Sequence, residues 1–267
     1  MDARGRVLII AGSDSGGGAG IQADIKTVTA LGGYAMTALT ALTAQNTTGV
    51  QAIHEVPADF VQAQMTSVLD DIGADAIKIG MLHRSDVIEA VAETLTQKAS
   101  GIPIILDPVM VAKGGAALLE DAATTALKTR LLPVAYLLTP NTPEAETLAG
   151  LSIDDDDDVI AAGQTLLAMG PQAVLMKGGH LDGADVRDVL ITREREPAIF
   201  QAPRMNSRHT HGTGCTLASA IATGVAQEMT AADATGRAID YVREAIRTAP
   251  GYGQGHGPLN HGHPVGT

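Results

Sequence analysis

Residues 7–26 read Val7-Leu8-Ile9-Ile10-Ala11-Gly12-Ser13-Asp14-Ser15-Gly16-Gly17-Gly18-Ala19-Gly20-Ile21-Gln22-Ala23-Asp24-Ile25-Lys26. The first five are apolar without a break, as in a strand buried on both faces. A glycine-rich turn follows, and a helix then runs to about Leu31. Gly18 to Ala23 fits the dinucleotide fingerprint GxGxxG/A after a first strand, so a Rossmann dehydrogenase is a competitor. That fold also needs an acid about twenty residues on to hold the ribose 2′-OH. Between Asp24 and Glu55 there is no Asp or Glu, and no Arg that could take a 2′-phosphate. The fingerprint therefore stands without its partner. No GxxxxGK[ST] occurs anywhere, which excludes a P-loop nucleotidase.

Further along, apolar runs at 34–40, 76–79, 103–106, 135–138, 173–176 and 198–201 predict strands, with 50–54 a further candidate. Helical periodicity separates most of them: from Pro57 with Phe60, Val61, Met65, Val68 and Leu69 inward, over 87–95, from about 121, over 159–169, and over 232–248. Continuous apolar strands alternating with helices describe a mostly parallel sheet covered on both faces, a three-layer α/β/α fold. Residues 43–47 read as a polar loop. The acidic run 154–158 reads as a solvated stretch suited to a helix N-terminus. No low-complexity linker divides the chain, so one domain over 1–267 is expected.

The second informative stretch is Thr210-His211-Gly212-Thr213-Gly214-Cys215-Thr216, followed by Leu217, Ala218, Ile221, Ala222 and Val225 on one helical face. Gly212-Thr213-Gly214 should open that helix and turn several free N–H groups toward one point, where the dipole favours negative charge. The lone cysteine sits there, and such a position is expected to pull a thiol pKa below its ordinary value. An anion cradle with a base inside it suits phosphoryl transfer to a hydroxyl. Asp14, Gln45, Met81, Asp107, Asn141, Glu144 and Lys177 fall at predicted strand ends, the edge where open parallel sheets bind ligands.

Composition narrows the partners. The net charge of −12 argues against nucleic acid or an anionic membrane, and the apolar runs are too short for a signal core or a membrane span. One cysteine precludes an intrachain disulfide and suits a reducing cytoplasm. With no Trp, two Phe and four Tyr, the core must be aliphatic.

Residues 11–26 resemble the opening of hydroxymethylpyrimidine/phosphomethylpyrimidine kinases, members of the ribokinase superfamily that act in thiamine biosynthesis. The resemblance continues, in the expected order, through 40–47, 78–82, 107–110, 139–144, 176–180, 210–216 and 255–261. It implies a ribokinase-like domain over 1–267, in a homodimer, that uses ATP and Mg²⁺ on 4-amino-5-hydroxymethyl-2-methylpyrimidine and then on its monophosphate. Asp24 and Gln45 match positions that hydrogen-bond the aminopyrimidine, Met81 and Val109 match apolar walls, and Gly12 matches a backbone contact. Cys215 matches the catalytic base, which is Asp in sugar-kinase relatives, and Gly212, Thr213 and Gly214 match the amides that steady the transferring phosphoryl group. Lys177, Asn141 and Asp107 match nucleotide-phosphate contacts, and Glu144 a residue associated with Mg²⁺.

Three places depart from the family pattern: His209 stands where Asn is more usual, His83 where a small residue is usual, and the acidic run 154–158 is particular to this chain. The tail histidines His256, His261 and His263 read as a packed or mobile segment rather than a metal cluster. A pyridoxal kinase is the nearest rival, being the same chemistry on another ring. A non-catalytic pyrimidine-binding protein is a rival of another class, opposed by the intact Gly212-Thr213-Gly214-Cys215, Lys177 and Glu144.

Overall fold

The computed structural model describes residues 5–110, 121–180 and 183–265; the lead-in over 1–4 lies outside them. In chain order the main elements are β1 (Arg6–Asp14), α1 (Gly20–Ala30), β2 (Tyr34–Asn46), β3 (Gly49–Glu55), α2 (Ala58–Asp71), β4 (Ala76–Ile79), α3 (Ser85–Lys98), β5 (Ile104–Leu106), α4 (Asp121–Ala126), β6 (Leu137–Leu138), α5 (Thr142–Ala149), α6 (Asp156–Ala168), β7 (Ala173–Met176), β8 (Asp185–Thr192), β9 (Ala198–Pro203), α7 (Thr213–Ala226) and α8 (Ala231–Arg247).

Among the described residues one sheet runs β3-β2-β1-β4-β5-β6-β7-β8-β9. The six strands from β2 to β7 pair in parallel. β3 at one edge and the β8–β9 hairpin at the other are antiparallel. β1 shows why the middle of the sheet is apolar throughout. Leu8 and Ile10 face one layer with residues of α2, α3, α5 and α6, while Val7, Ile9 and Ala11 face the other with α1, α7 and α8. All five are at most 1% exposed. The fold is the three-layer α/β/α arrangement with a mostly parallel sheet.

Three local readings need correction. Residues 43–46 continue β2 instead of forming a loop, because the antiparallel neighbour β3 satisfies their backbone and leaves the polar side chains at the sheet's end. β8 carries no uninterrupted apolar run, since only its second half is buried, and the sequence did not mark it. β6 is only Leu137–Leu138, shorter than the run 135–138, although both residues are fully buried. The acidic run does open a helix: Asp155 caps α6, its side chain accepting from the Asp158 N–H at 3.0 Å.

Candidate active site

At the C-terminal ends of the parallel strands, a cavity of about 810 Å³ opens between the β1, β2, β4, β5 and β7 termini and the start of α7. Gly12, Gln45, Met81, Val109, Asp107, Asn141, Glu144, Lys177 and Gly212 to Cys215 all line it. Asp24 alone among the candidates lies outside it.

One side of the cavity is built by β1 and β2. Asp14, at the last position of β1, is 2% exposed. Its carboxylate accepts from the N–H groups of Gly16, Gly18 and Ala19 at 2.8, 3.1 and 2.9 Å, and from His211 Nε2 at 2.8 Å. Burial opposes the charge, but those donors outweigh it and hold the Asp14 carboxyl below its ordinary pKa. Asp14 therefore ties the first glycine loop to the α7 motif. Ser15 Oγ donates to the Gln45 carbonyl at 2.9 Å and accepts from its N–H at 2.8 Å, fixing the end of β2. Gln45 Oε1 lies 3.1 Å from Thr43 Oγ1, whose hydroxyl also donates to the Ser13 carbonyl at 2.8 Å, and Gln45 Nε2 lies 3.3 Å from His211 Nε2, whose hydrogen goes to Asp14. A Cβ at Gly12 would strike Met81 Cε, so the absent side chain is what lets Met81 pack on the β1 backbone.

The neighbouring part centres on α7. Gly212 is its N-cap, at φ 84° and ψ 9°, with no side chain to cap the first turn. The Gly214 and Cys215 N–H groups lie in that turn, where α-helices have no earlier carbonyls to accept them, and both residues line the cavity. Beside them Lys177 Nζ donates to Asp107 Oδ1 at 3.0 Å and lies 3.7 Å from Glu144 Oε2. Thr139 Oγ1 donates to the same Asp107 oxygen at 3.1 Å, leaving Oδ2 nearer the glycine turn at Gly214. Asn141 and Glu144 form a capping box on α5: Asn141 Oδ1 accepts from the Glu144 N–H at 2.9 Å, and Glu144 Oε2 from the Asn141 N–H at 2.8 Å. Burial, with Asp107 adding to it, pushes the Glu144 carboxyl up to about 7 against the pull of Lys177. Burial disfavours the Lys177 ammonium, yet Asp107 and Glu144 more than offset it and raise its pKa.

Two site expectations are corrected. The Cys215 thiol is not acidified: burial pushes it up to about 11, with Asp24 and Asp107 adding to the rise and Lys78 and the Gly20 N–H acting against it. Desolvation by the packed surroundings outweighs the helix dipole, although the thiol is still partly open to the cavity. Asp24 is fully buried beneath the site. Its Oδ2 accepts from Lys78 Nζ at 2.8 Å and its Oδ1 from Ser219 Oγ at 2.7 Å, so neither oxygen is offered to a ligand. We expect Asp24→Ala to act on stability, by about 3–5 kcal/mol, because it strands a buried ammonium. Chemical denaturation checks this; unchanged stability with a raised pyrimidine KM would restore Asp24 to the pocket.

Sequence reasoning missed part of the wall. Val186, Asp188, Phe200 and Ala202 come from β8 and β9, and Ile239, Val242, Arg243 and Ile246 from α8. Asp188 Oδ1 accepts from the Gly178 N–H at 2.8 Å and so steadies the turn after Lys177. No motif spacing marks these residues; only the edge hairpin and the return of α8 bring them together. His209 and the tail pack together, since a Cβ at Gly257 would strike the His209 ring; His211 N–H donates to the Gly257 carbonyl at 3.2 Å, and His261 Nε2 lies 3.0 Å from Thr216 Oγ1. No group of three or more metal-capable His, Cys, Asp or Glu side chains occurs among the described residues.

Comparison with known proteins gives a consistent picture. Residues 14–260 match the family model described as phosphomethylpyrimidine kinase. The chain is 52% identical over 261 residues to the thiamine biosynthesis bifunctional protein ThiED of Geobacter sulfurreducens, covering 97% of this chain and 52% of that protein, about half its length. It is 50% identical over 260 residues to the hydroxymethylpyrimidine/phosphomethylpyrimidine kinase of Streptomyces coelicolor, covering 97% of this chain and 95% of that one. Among solved structures, an ADP complex of Bacillus subtilis pyridoxal kinase superposes with a TM-score of 0.89 at 36% identity, covering 97% of each chain.

Proposed function

We propose a mechanism from one premise: the chain belongs to the phosphomethylpyrimidine kinase family. It is a phosphotransferase of thiamine biosynthesis that phosphorylates 4-amino-5-hydroxymethyl-2-methylpyrimidine, and then the monophosphate, at the expense of ATP. The observation that carries the reading is one cavity lined both by Gln45, Met81 and Val109 and by the open first turn of α7, Cys215 included.

In this reading the ring lies between Met81 and Val109. Gln45 presents its carboxamide to the ring nitrogen and exocyclic amine. The hydroxymethyl group lies at Cys215, which accepts its proton as the oxygen attacks the γ-phosphorus. The Gly214 and Cys215 amides and Lys177 take up charge on the transferred group, while Asn141 shapes the phosphate path. The oxygen donors here suit a hard cation that keeps most of its waters, so Glu144, with Asp107 nearby, fits Mg²⁺. That ion, when bound, offsets phosphate charge.

The whole of 1–267 acts as one ribokinase-like domain, in a cytoplasmic homodimer that needs no nucleic-acid partner. The family resemblance and the net charge of −12 support these points. No helix among the described residues is long and apolar enough to cross a membrane. The test is product mass analysis with ATP and Mg²⁺, offering the hydroxymethylpyrimidine and pyridoxal together. Mono- and diphosphorylated pyrimidine are expected. Phosphorylated pyridoxal alone would overturn the substrate assignment.

A further inference from the structure

Lys78 is a fully buried ammonium that the phosphoryl-transfer scheme above leaves without a task. It is the largest fully buried side chain of the molecule's described part. β4 delivers it beneath the cavity wall, and Gly80 makes the room, since a Cβ there would lie 2.8 Å from Lys78 Nζ. Asp24 on α1 accepts from it at 2.8 Å. Asp24 is in turn held at 2.7 Å by Ser219 Oγ, which lies four residues after Cys215 on α7. Residues four apart share a helix face. The buried pair is thus pinned to the face of α7 that carries the thiol, and both Lys78 and Cys215 border the cavity.

We propose that Lys78 is a positioning residue for the phosphoryl transfer, its ammonium divided between Asp24 and the Cys215 thiolate. Asp24 then decides how much of the cation is left to stabilise that thiolate. The inference rests on the reading of Cys215 as base. In that reaction the thiolate takes the hydroxymethyl proton, the new O–P bond forms as the bond to ADP breaks, and the proton is later lost from sulfur to solvent. The charged groups whose fields reach the thiol are Lys78 from β4, Asp24 from α1, Asp107 after β5 and Lys177 after β7. Lys78 and Asp24 act on it with opposite sign, and the Lys78 effect is the larger of the two.

The chain's single cysteine makes the test clean, because iodoacetamide reports on one thiol. Asp24→Asn leaves the ammonium to the thiolate and should speed alkylation at pH 8 by about threefold to tenfold. The gain is muted because a more acidic thiolate is also a weaker nucleophile. Lys78→Met should slow alkylation by a similar factor. Mere loosening of the fold would move both variants the same way. The double variant Asp24→Asn/Lys78→Met has no buried unpaired charge and covers the case in which a single variant fails to fold. It should alkylate more slowly than the wild type; an unchanged rate in the folded double variant, or single variants that shift together, would overturn the proposal. Turnover against pH, measured on the same proteins, separates the two readings. If alkylation ranks as expected and turnover does not follow it, the shared ammonium stands and the base assignment falls.

Discussion

Cys215→Ala should lower turnover by about 10²–10⁴-fold, the usual contribution of a placed general base, while pyrimidine affinity changes little. The separation follows from the geometry. In the proposed reading the ring lies against Gln45, Met81 and Val109, and the thiol belongs to a different element, the first turn of α7, in the same cavity. The pH dependence makes the expectation sharper. Burial holds the thiol up at about 11, so only a small fraction is thiolate near neutrality. That fraction grows about tenfold per pH unit, so wild-type turnover should climb between pH 7 and 9 wherever chemistry is rate-limiting. In Cys215→Ala the climb should vanish along with most of the rate. Steady-state kinetics across that range, with calorimetric titration of the pyrimidine, checks both halves. Wild-type-like turnover in the alanine variant would remove the thiol from the reaction and leave phosphoryl transfer to positioning and charge alone.

What the sequence could and could not reveal divides along physical lines. Continuous apolar runs such as Val7–Ile10 mark the parallel core because a strand buried on both faces has no polar alternative. The cavity residues at strand ends were legible for a related reason: topology brings those ends together, and polar types stand out beside such strands. β8 and the α8 wall were not legible, since β8, paired between β7 and β9, is buried only in its second half and shows neither a full apolar run nor an alternation. Asp24 was misplaced because its type and its motif position suit a ligand contact equally well. Only its packing shows that Lys78 and Ser219 take both oxygens. The Cys215 thiol was misjudged because a helix N-terminus is visible in sequence while the desolvation opposing it is a property of the assembled layers. In both cases the sequence showed the residue and its motif, and the packing around it was not legible.

Gly212→Ala tests the other half of the machinery, the amides that need no side chain. At φ 84° an alanine costs about 1–2 kcal/mol in backbone strain alone. The larger effect is steric: its Cβ would collide with the Gly18 carbonyl oxygen and lie 2.8 Å from the carbonyl carbon. That carbonyl has little freedom to retreat, because the Gly18 N–H is held by Asp14 at 3.1 Å and Asp14 is locked to His211. The start of α7 must shift instead, and with it the aim of the Gly214 and Cys215 N–H groups. Loss of one well-placed donor of this kind costs about 10²–10³ in turnover, so a fall of at least that size is expected, with a raised nucleotide KM that Cys215→Ala should not show. Gly32→Ala is the control. Its φ is 80°, but nothing lies within 4 Å of the new Cβ, so it carries the strain without the collision. It should lower the melting temperature and leave turnover intact. Equal turnover in the two alanine variants would mean that the fit of Gly212 against Gly18 does not set the amides, and that strain alone explains the glycine.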